Sequence, residues 1–280
     1  MRKPFMEELT AGVISGRPIM LITGDLGWGV VEEFAKRFPK NFINAGVAEQ
    51  NMMGMAAGMA AEGYHVFVYS IGNFSTFRCA EQIRNDVDYH NLPVTVVSVG
   101  GGLAYGAMGY SHHAVQDYAL IRSMPNMLIA APCDDLEATA CVRYLIENPQ
   151  PSYLRLGRGG EMQIHRPDCM PIVKPGEWVR VDKESTVDYT VVTTGTAASI
   201  AARLYPHSRQ YTLPLWGMKY DKQVEQSGTQ VFTSIEDHLK AGGFGSWLQE
   251  AGCRVLIEAI DPKVCGMVGT TEELLKAGGL

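Results

Sequence analysis

The chain alternates short apolar runs with helical patterns from its first residues. A helical pattern over 4–13 precedes an apolar run at 18–23, and a second over 29–38 precedes a strand-like stretch at 41–44. Further strand-like runs stand at 65–69, 93–99 and 127–130, with helical patterns over 48–62, 78–88, 117–122 and 134–146 between them. This alternation predicts an α/β unit with a largely parallel sheet. Asp134, with Glu137 three residues on, has the form of a capping box. In the helical pattern over 48–62, Gly54 and Gly58 lie four apart, as do Ala57 and Ala61, so small residues form a stripe on one face. Close packing inside one domain and a subunit contact both use such a stripe.

The pattern then stops. Residues 157–176 are rich in Gly and Pro and carry no sustained period, which marks a linker. A second α/β unit begins near Asp188, with strands expected at 189–193, 210–213, 230–234 and 254–258 and helices at 197–204, 243–251 and 271–277. The expected division is a first domain over 1–160, a linker over 161–187 and a smaller domain over 188–280. A length of 280 residues suits two domains.

Composition narrows the class. With 46% apolar and 19% charged residues, disorder, collagen and coiled coil are poor readings. The net charge of -6 is spread without basic clusters, which argues against nucleic acid as a partner. No run reaches the roughly 18 to 20 apolar residues a membrane span needs. The opening MRKPFMEEL follows its basic residues with glutamates instead of an apolar stretch, so it does not read as a secretory signal, and a cytoplasmic location is expected. The six cysteines (Cys79, Cys133, Cys141, Cys169, Cys253, Cys265) show no CxxC pair, no metal-type spacing and no histidine partner in a recognisable motif. They are expected to be reduced, mostly buried thiols, and no metal-ligating residue is expected.

Four passages carry candidate chemistry. FINAGVAEQNMMGMAAGMAAEG, residues 42–63, puts Glu49 in the first turn of a predicted helix, where a negative charge suits the dipole. NFSTFRCAEQIRND, residues 73–86, holds Phe74, Phe77 and Arg78. GGGLAYGAMGYSHHAVQDYALIRSMPNM, residues 100–127, places His112 and His113 side by side in a Gly-rich loop, where they could be surface residues or part of a metal site with no further ligands nearby in sequence. PSYLRLGR, residues 151–158, ends on Arg158.

Together these passages resemble the transketolase superfamily. The first is similar to its "G-I/V-A-E-Q" segment and small-residue helix, the second to its "QIRN" stretch, the third to its "G-E-D-G-x-S/T-H-Q/H" loop and the fourth to "P-x-Y-I-R-L-S-R". Residues 234–252, SIEDHLKAGGFGSWLQEAG, resemble "E-E-H-x-x-x-G-G-L-G-S" and extend the likeness to nearly the whole chain. Gly242, Gly243 and Gly245 read as a tight turn into a helix, since a lone glycine cluster is weak evidence for a phosphate loop.

The resemblance implies two α/β domains, a thiamine-diphosphate pyrimidine-binding domain with a mostly parallel sheet followed by a smaller transketolase C-terminal-type domain. It implies that Glu49 is catalytic and bonds N1′ of the cofactor's aminopyrimidine, with Met52 and Met53 as the apolar neighbours expected to bury it. Phe74 then stacks on the aminopyrimidine, with Phe77 and Arg78 beside it, because offset stacking on a flat heteroaromatic ring suits a phenyl group. Asp25, in LITGDLG, matches a family aspartate at the end of the first strand, which faces the cleft in open parallel sheets. His112 takes a catalytic and substrate-binding position and His113 a substrate-binding one, since an imidazole can donate to a developing alkoxide and shuttle protons. Arg158, and Arg2 at the start of the domain, inherit the role of phosphate arginines.

The sequence also departs from the family. The acidic pair of the family loop is replaced by Ala107 and Met108, which cannot accept hydrogen bonds from substrate hydroxyls. Gly100 stands where transketolases often carry a histidine, and Gly29 where they carry a serine. The implied substrate is therefore a non-standard sugar of a specialised pathway. Magnesium diphosphate is held in this family by a "GDG" motif with a downstream Asn, and here Gly24 and Asp25 are followed by Leu26. Mg²⁺ and the diphosphate are thus expected on a partner, an N-terminal-type subunit carrying the diphosphate-binding domain, in an α2β2 heterotetramer. The expected activity is transfer of a two-carbon ketol unit. The alternatives are a deoxyxylulose-phosphate synthase-like or 2-oxo acid dehydrogenase beta-like subunit, and a non-catalytic scaffold.

Overall fold

The computed structural model describes residues 1–181, 185, 187–220, 231–250 and 252–280. Twelve strands among them form two sheets: β1 Ile19–Thr23, β2 Phe42–Asn44, β3 His65–Ile71, β4 Val94–Val99, β5 Leu128–Ala130, β6 Ser152–Leu156, β7 Val179–Arg180, β8 Thr190–Thr193, β9 Arg209–Thr212, β10 Leu215–Trp216, β11 Val231–Leu239 and β12 Arg254–Ile260. The larger sheet has the order β10-β5-β6-β4-β3-β1-β2 and the smaller β12-β11-β8-β9-β7. Within the larger sheet every pairing is parallel except β10 with β5.

The strands β1 and β4 are buried at every position, which is why IMLIT and VTVVSV read as continuous apolar or β-branched runs without alternation. Helices cover both faces. On one, Arg2–Ile14 and Asp135–Glu147 bury Phe5, Leu9, Leu145 and Ile146 against Leu21, Phe67 and Val97. On the other, Glu49–Ala61 buries Met52, Met53 and Ala56 together with Ile83 and Val87. Gly54, Gly58 and Ala61 of the same helix are exposed, and a Cβ at either glycine would meet nothing within 4 Å, so of the small residues in that stripe only Ala57 packs inside this chain and the other three face outward.

The sequence missed three strands. β6, in the centre of the larger sheet, is short and shares its residues with the arginine motif. β7 lies within the expected linker yet pairs with β9, and β10 lies within the expected smaller domain yet pairs with β5 of the larger sheet. The continuous helix expected over 78–88 is three pieces, a 3₁₀ turn at Phe77–Cys79, a single α turn at Ala80–Gln82 and a π segment at Ile83–Asp88. Side-chain periodicity does not register such changes in winding. The first residue of the strand expected over 230–234 and the last of the helix expected over 243–251 fall outside the described residues, and the rest of that strand lies in β11.

A buried ion cluster joins the two units. Arg155 of β6 donates from Nε to Asp117 Oδ2 at 2.7 Å and from Nη1 to Asp237 Oδ1 of β11 at 2.7 Å, and Tyr153 donates to the same Asp117 oxygen at 2.6 Å. In the smaller unit, Gly243 and Gly245 form the expected turn, and the Glu236 carboxylate accepts from the backbone N–H of Phe244 at 2.7 Å and of Gly245 at 2.8 Å. A protein carboxylate thus takes the place that a phosphate would occupy in a phosphate loop.

Candidate active site at the carboxyl ends of the parallel strands

The chain passes from β1 to β2 on one side and from β3 to β4 on the other, so the direction of sheet growth reverses between β1 and β3. Loops leaving the carboxyl ends of strands flanking such a reversal part and leave a crevice. Gly24 follows β1, the Glu49–Ala61 helix follows β2, and Phe74 and Arg78 follow β3. The Glu49 side chain lies over Gly24: a Cβ there would stand 3.6 Å from Glu49 Cγ and 3.5 Å from Met52 Sδ. Glu49 is 6% exposed, and Oε1 accepts from Arg78 Nη1 at 2.9 Å. Met52, fully buried, lies on the same side of Gly24 as Glu49, and Met53 is buried in the core beside it.

From this carboxylate a chain of contacts crosses the crevice. The Arg78 guanidinium lies 3.9 Å above the Phe74 ring, and the edge of Phe74 meets His112 at 5.0 Å and 69°. Burial, followed by the nearby Arg78 and His113, holds the His112 imidazole below its usual pKa, so it is neutral at pH 7 and can both accept and donate. Tyr105 lies 6.2 Å from His112 on the far side, and Arg158 stacks on Tyr105 at 5.0 Å. Burial pushes the Tyr69 phenol up to about 12, against the pull of Arg2 at its hydroxyl. Arg2 also borders Gly159, beside Arg158, and with Lys3 and Arg37 lines an open cleft of about 710 Å³.

Glu49, Phe74, Arg78, His112, Arg158 and Arg2 therefore share one neighbourhood. The other three candidates stand apart. His113 is buried, with Nε2 3.2 Å from the Gly106 carbonyl, and so supports the loop from behind. Phe77 is 46% exposed. Asp25, at a φ of 57°, is exposed and hydrogen-bonded to Asn44 Nδ2 at 3.1 Å at the edge of a cavity of about 180 Å³.

Two residues of this neighbourhood escaped the sequence reading, Tyr69 and Tyr105. Tyr105 also explains one family departure. Gly100 has a φ of 83°, and a Cβ there would collide with the Tyr105 ring, so the tyrosine fills the space into which a histidine at position 100 would project. All six cysteines are free thiols, three of them buried. The sequence offers no histidine partner in a recognisable motif, and in the fold His165 Nδ1 is 3.7 Å from Cys133 Sγ across 32 residues of sequence, a separation that no local motif records.

Residues 1–160 match the family model described as transketolase, pyrimidine binding domain. A subunit of the apulose-4-phosphate transketolase of Phocaeicola vulgatus is 30% identical over 267 residues, 89% of this chain and 82% of that protein. The 1-deoxy-D-xylulose-5-phosphate synthase of Syntrophotalea carbinolica is 33% identical over 258 residues, 88% of this chain but 40% of that one. A solved structure described as a split gene transketolase, inactive beta4 tetramer, superposes with a TM-score of 0.83 at 29% identity, covering 100% of this chain and 93% of that one. Among the described residues no helix is long and apolar enough to cross a membrane. By sequence and by fold, the chain belongs to the transketolase family of thiamine-diphosphate enzymes.

Proposed function

We propose that this chain is the pyrimidine-binding and C-terminal half of a two-chain, transketolase-like enzyme that transfers a two-carbon ketol unit between sugar-type substrates. The observation that carries the reading is the buried Glu49 carboxylate at the sheet reversal, with Phe74, Arg78 and His112 around it. These residues fit the aminopyrimidine of thiamine diphosphate: a buried carboxyl for the ring nitrogen and a half-buried phenyl ring beside it. When bound, the cofactor supplies the nucleophilic carbon that adds to a ketose carbonyl.

The chain's own groups have distinct tasks. Glu49 holds a proton at N1′, and Arg78 fixes the rotamer of that carboxyl through their 2.9 Å contact. Neutral His112 donates to the oxygen that gains charge during carbon–carbon cleavage and moves a proton between donor and acceptor oxygens. Arg158 and Arg2, on either side of Gly159, anchor a phosphate or another anionic end of the substrate. Tyr105 fills the position above Gly100 and narrows the sugar channel, which favours a substrate outside the ordinary pentose-phosphate set.

A second chain completes the site by holding the diphosphate through Mg²⁺. Two likenesses support this. The P. vulgatus relative is named as one subunit of its enzyme, and the tetramer of the split gene transketolase made of one chain type is described as inactive. An α2β2 arrangement follows from pairing two such sites about a two-fold axis. The test is turnover by the reconstituted pair, offered an aldehyde acceptor with either a ketose phosphate or pyruvate as donor. Elongation by two carbons from the ketose without CO₂ release is expected. Pyruvate-dependent CO₂ release would move the chain to synthase-like chemistry, and no turnover with either donor would favour a scaffold role.

A further inference from the structure

Away from the crevice, at the carboxyl end of β5, Cys133, Glu137 and His165 converge. One ligand atom from each lies within 4.8 Å of the other two. Cys133 and Glu137 are buried, and His165 is 9% exposed. The surroundings orient the three groups as a metal site needs. Asp134 Oδ2 accepts from the backbone N–H of His165 at 2.7 Å and stands 3.1 Å from His165 Nδ1, which Cys133 Sγ also approaches at 3.7 Å, so Nδ1 faces that carboxylate and Nε2 is the ring nitrogen open to a further ligand. That Nε2 is buried and has no hydrogen-bond partner among the described residues; it faces Glu137 Oε1 at 3.8 Å, beyond hydrogen-bond reach. A buried, unpartnered imidazole nitrogen carries a desolvation cost that a bound cation removes. Two bonds of about 2.0–2.2 Å, the usual length for zinc with nitrogen or carboxylate oxygen, span 3.8 Å at an open angle.

We infer that Cys133 Sγ, His165 Nε2 and Glu137 Oε1 form a binding site for one zinc-type divalent cation. A thiolate, an imidazole and a carboxylate suit zinc and leave one tetrahedral position for water. The Asp134 carboxylate on Nδ1 is the outer partner that commonly orients a metal-bound histidine. Binding replaces the Cys133 thiol proton, which passes to solvent, with the cation. Mg²⁺, which prefers oxygen ligands, is excluded by the thiolate, so this ion is separate from any that accompanies the diphosphate.

The ion would act as a clasp. Cys133 and Glu137 belong to the β5 end and the helix after it, and His165 to the Gly- and Pro-rich segment. Thr212 of β9 donates to Glu137 Oε1 at 2.6 Å and brings in the smaller unit. Three parts of the chain thus meet at one point.

The test uses the full chain stripped with a chelator. Titration with Co²⁺ is expected to raise a near-ultraviolet thiolate-to-cobalt band that saturates at one equivalent and is bleached by Zn²⁺. The band should vanish in Cys133→Ser and persist in Cys169→Ser, whose thiol is exposed. X-ray absorption on the zinc-loaded wild-type chain, which needs no variant to fold, should show one sulfur at about 2.3 Å among nitrogen and oxygen neighbours. Absence of the cobalt band, a band unchanged by Cys133→Ser in a folded variant, or a zinc shell without sulfur would each overturn the assignment.

Discussion

Arg155 Nη1 stands 2.7 Å from Asp237 Oδ1, and this contact ties the centre of the larger sheet to the smaller one. Arg155 is 3% exposed and Asp237 5%, so the pair is shielded from water. Removing Asp237 strips one of the two carboxylates that compensate the buried Arg155 and leaves its Nη1 donor without that acceptor, with Asp117 as the remaining partner. Asp237→Ala is therefore expected to cost about 3–5 kcal/mol in a denaturant titration, and Asp237→Asn, which keeps an acceptor, less. A loss under about 1 kcal/mol for the alanine variant would show that the cluster relaxes or hydrates easily.

Tyr105 touches both His112 and Arg158 while sealing the space above Gly100. Tyr105→Ala frees both side chains and opens the channel. In the assembled enzyme kcat/KM is expected to fall about 10- to 100-fold, with the larger share in KM, because the groups lose position and not identity. Steady-state kinetics on the folded variant checks this, and an unchanged KM would remove Tyr105 from the substrate channel.

His65 opens β3 and contacts Thr95 Oγ1 at 2.8 Å, which in turn contacts Ser152 Oγ at 2.7 Å, a polar line across three strands. Burial lowers its pKa to about 3. The unfolded chain takes up the proton near pH 6.5, while the native state resists it down to about 3. Stability contributed by the neutral ring is thus fully present above pH 6.5 and is lost as pH falls, by up to about 1.4 kcal/mol per pH unit. Chemical denaturation between pH 7 and 4 should show this slope, and His65→Gln should flatten it. Equal slopes in both proteins would refute the assignment.

Glu236 accepts two backbone N–H groups at the start of the Phe244–Glu250 helix. Glu236→Ala strands both donors in a buried turn and is expected to cost about 2–4 kcal/mol. Glu236→Gln retains an amide oxygen and should recover part of that loss. Thermal unfolding of the two variants compares them directly, and identical midpoints would show that water replaces the carboxylate.

The parallel architecture was legible because fully buried strands such as IMLIT leave long apolar runs and the intervening helices leave polar periods. Glu49, Phe74 and His112 were reachable through motifs that stay intact along the sequence. Strands β7 and β10 were not, because two-residue strands carry no period and their partners lie in distant segments. Tyr105 was missed because an aromatic residue in a Gly-rich loop has no local signal for the ring contacts it makes. The grouping of Cys133 with His165 depends on how the segment after β6 folds back, which spacing does not encode.

The central claim is that this chain supplies only the pyrimidine half of a shared cofactor site. Calorimetry of thiamine diphosphate with Mg²⁺ tests it on three samples: this chain alone, its complex with the subunit carrying the diphosphate-binding domain, and the same complex with Glu49→Gln. Binding by the complexes and not by the isolated chain is expected, with the variant complex losing at least about 100-fold in turnover. Tight binding to the isolated chain, or full turnover by the Glu49→Gln complex, would contradict it.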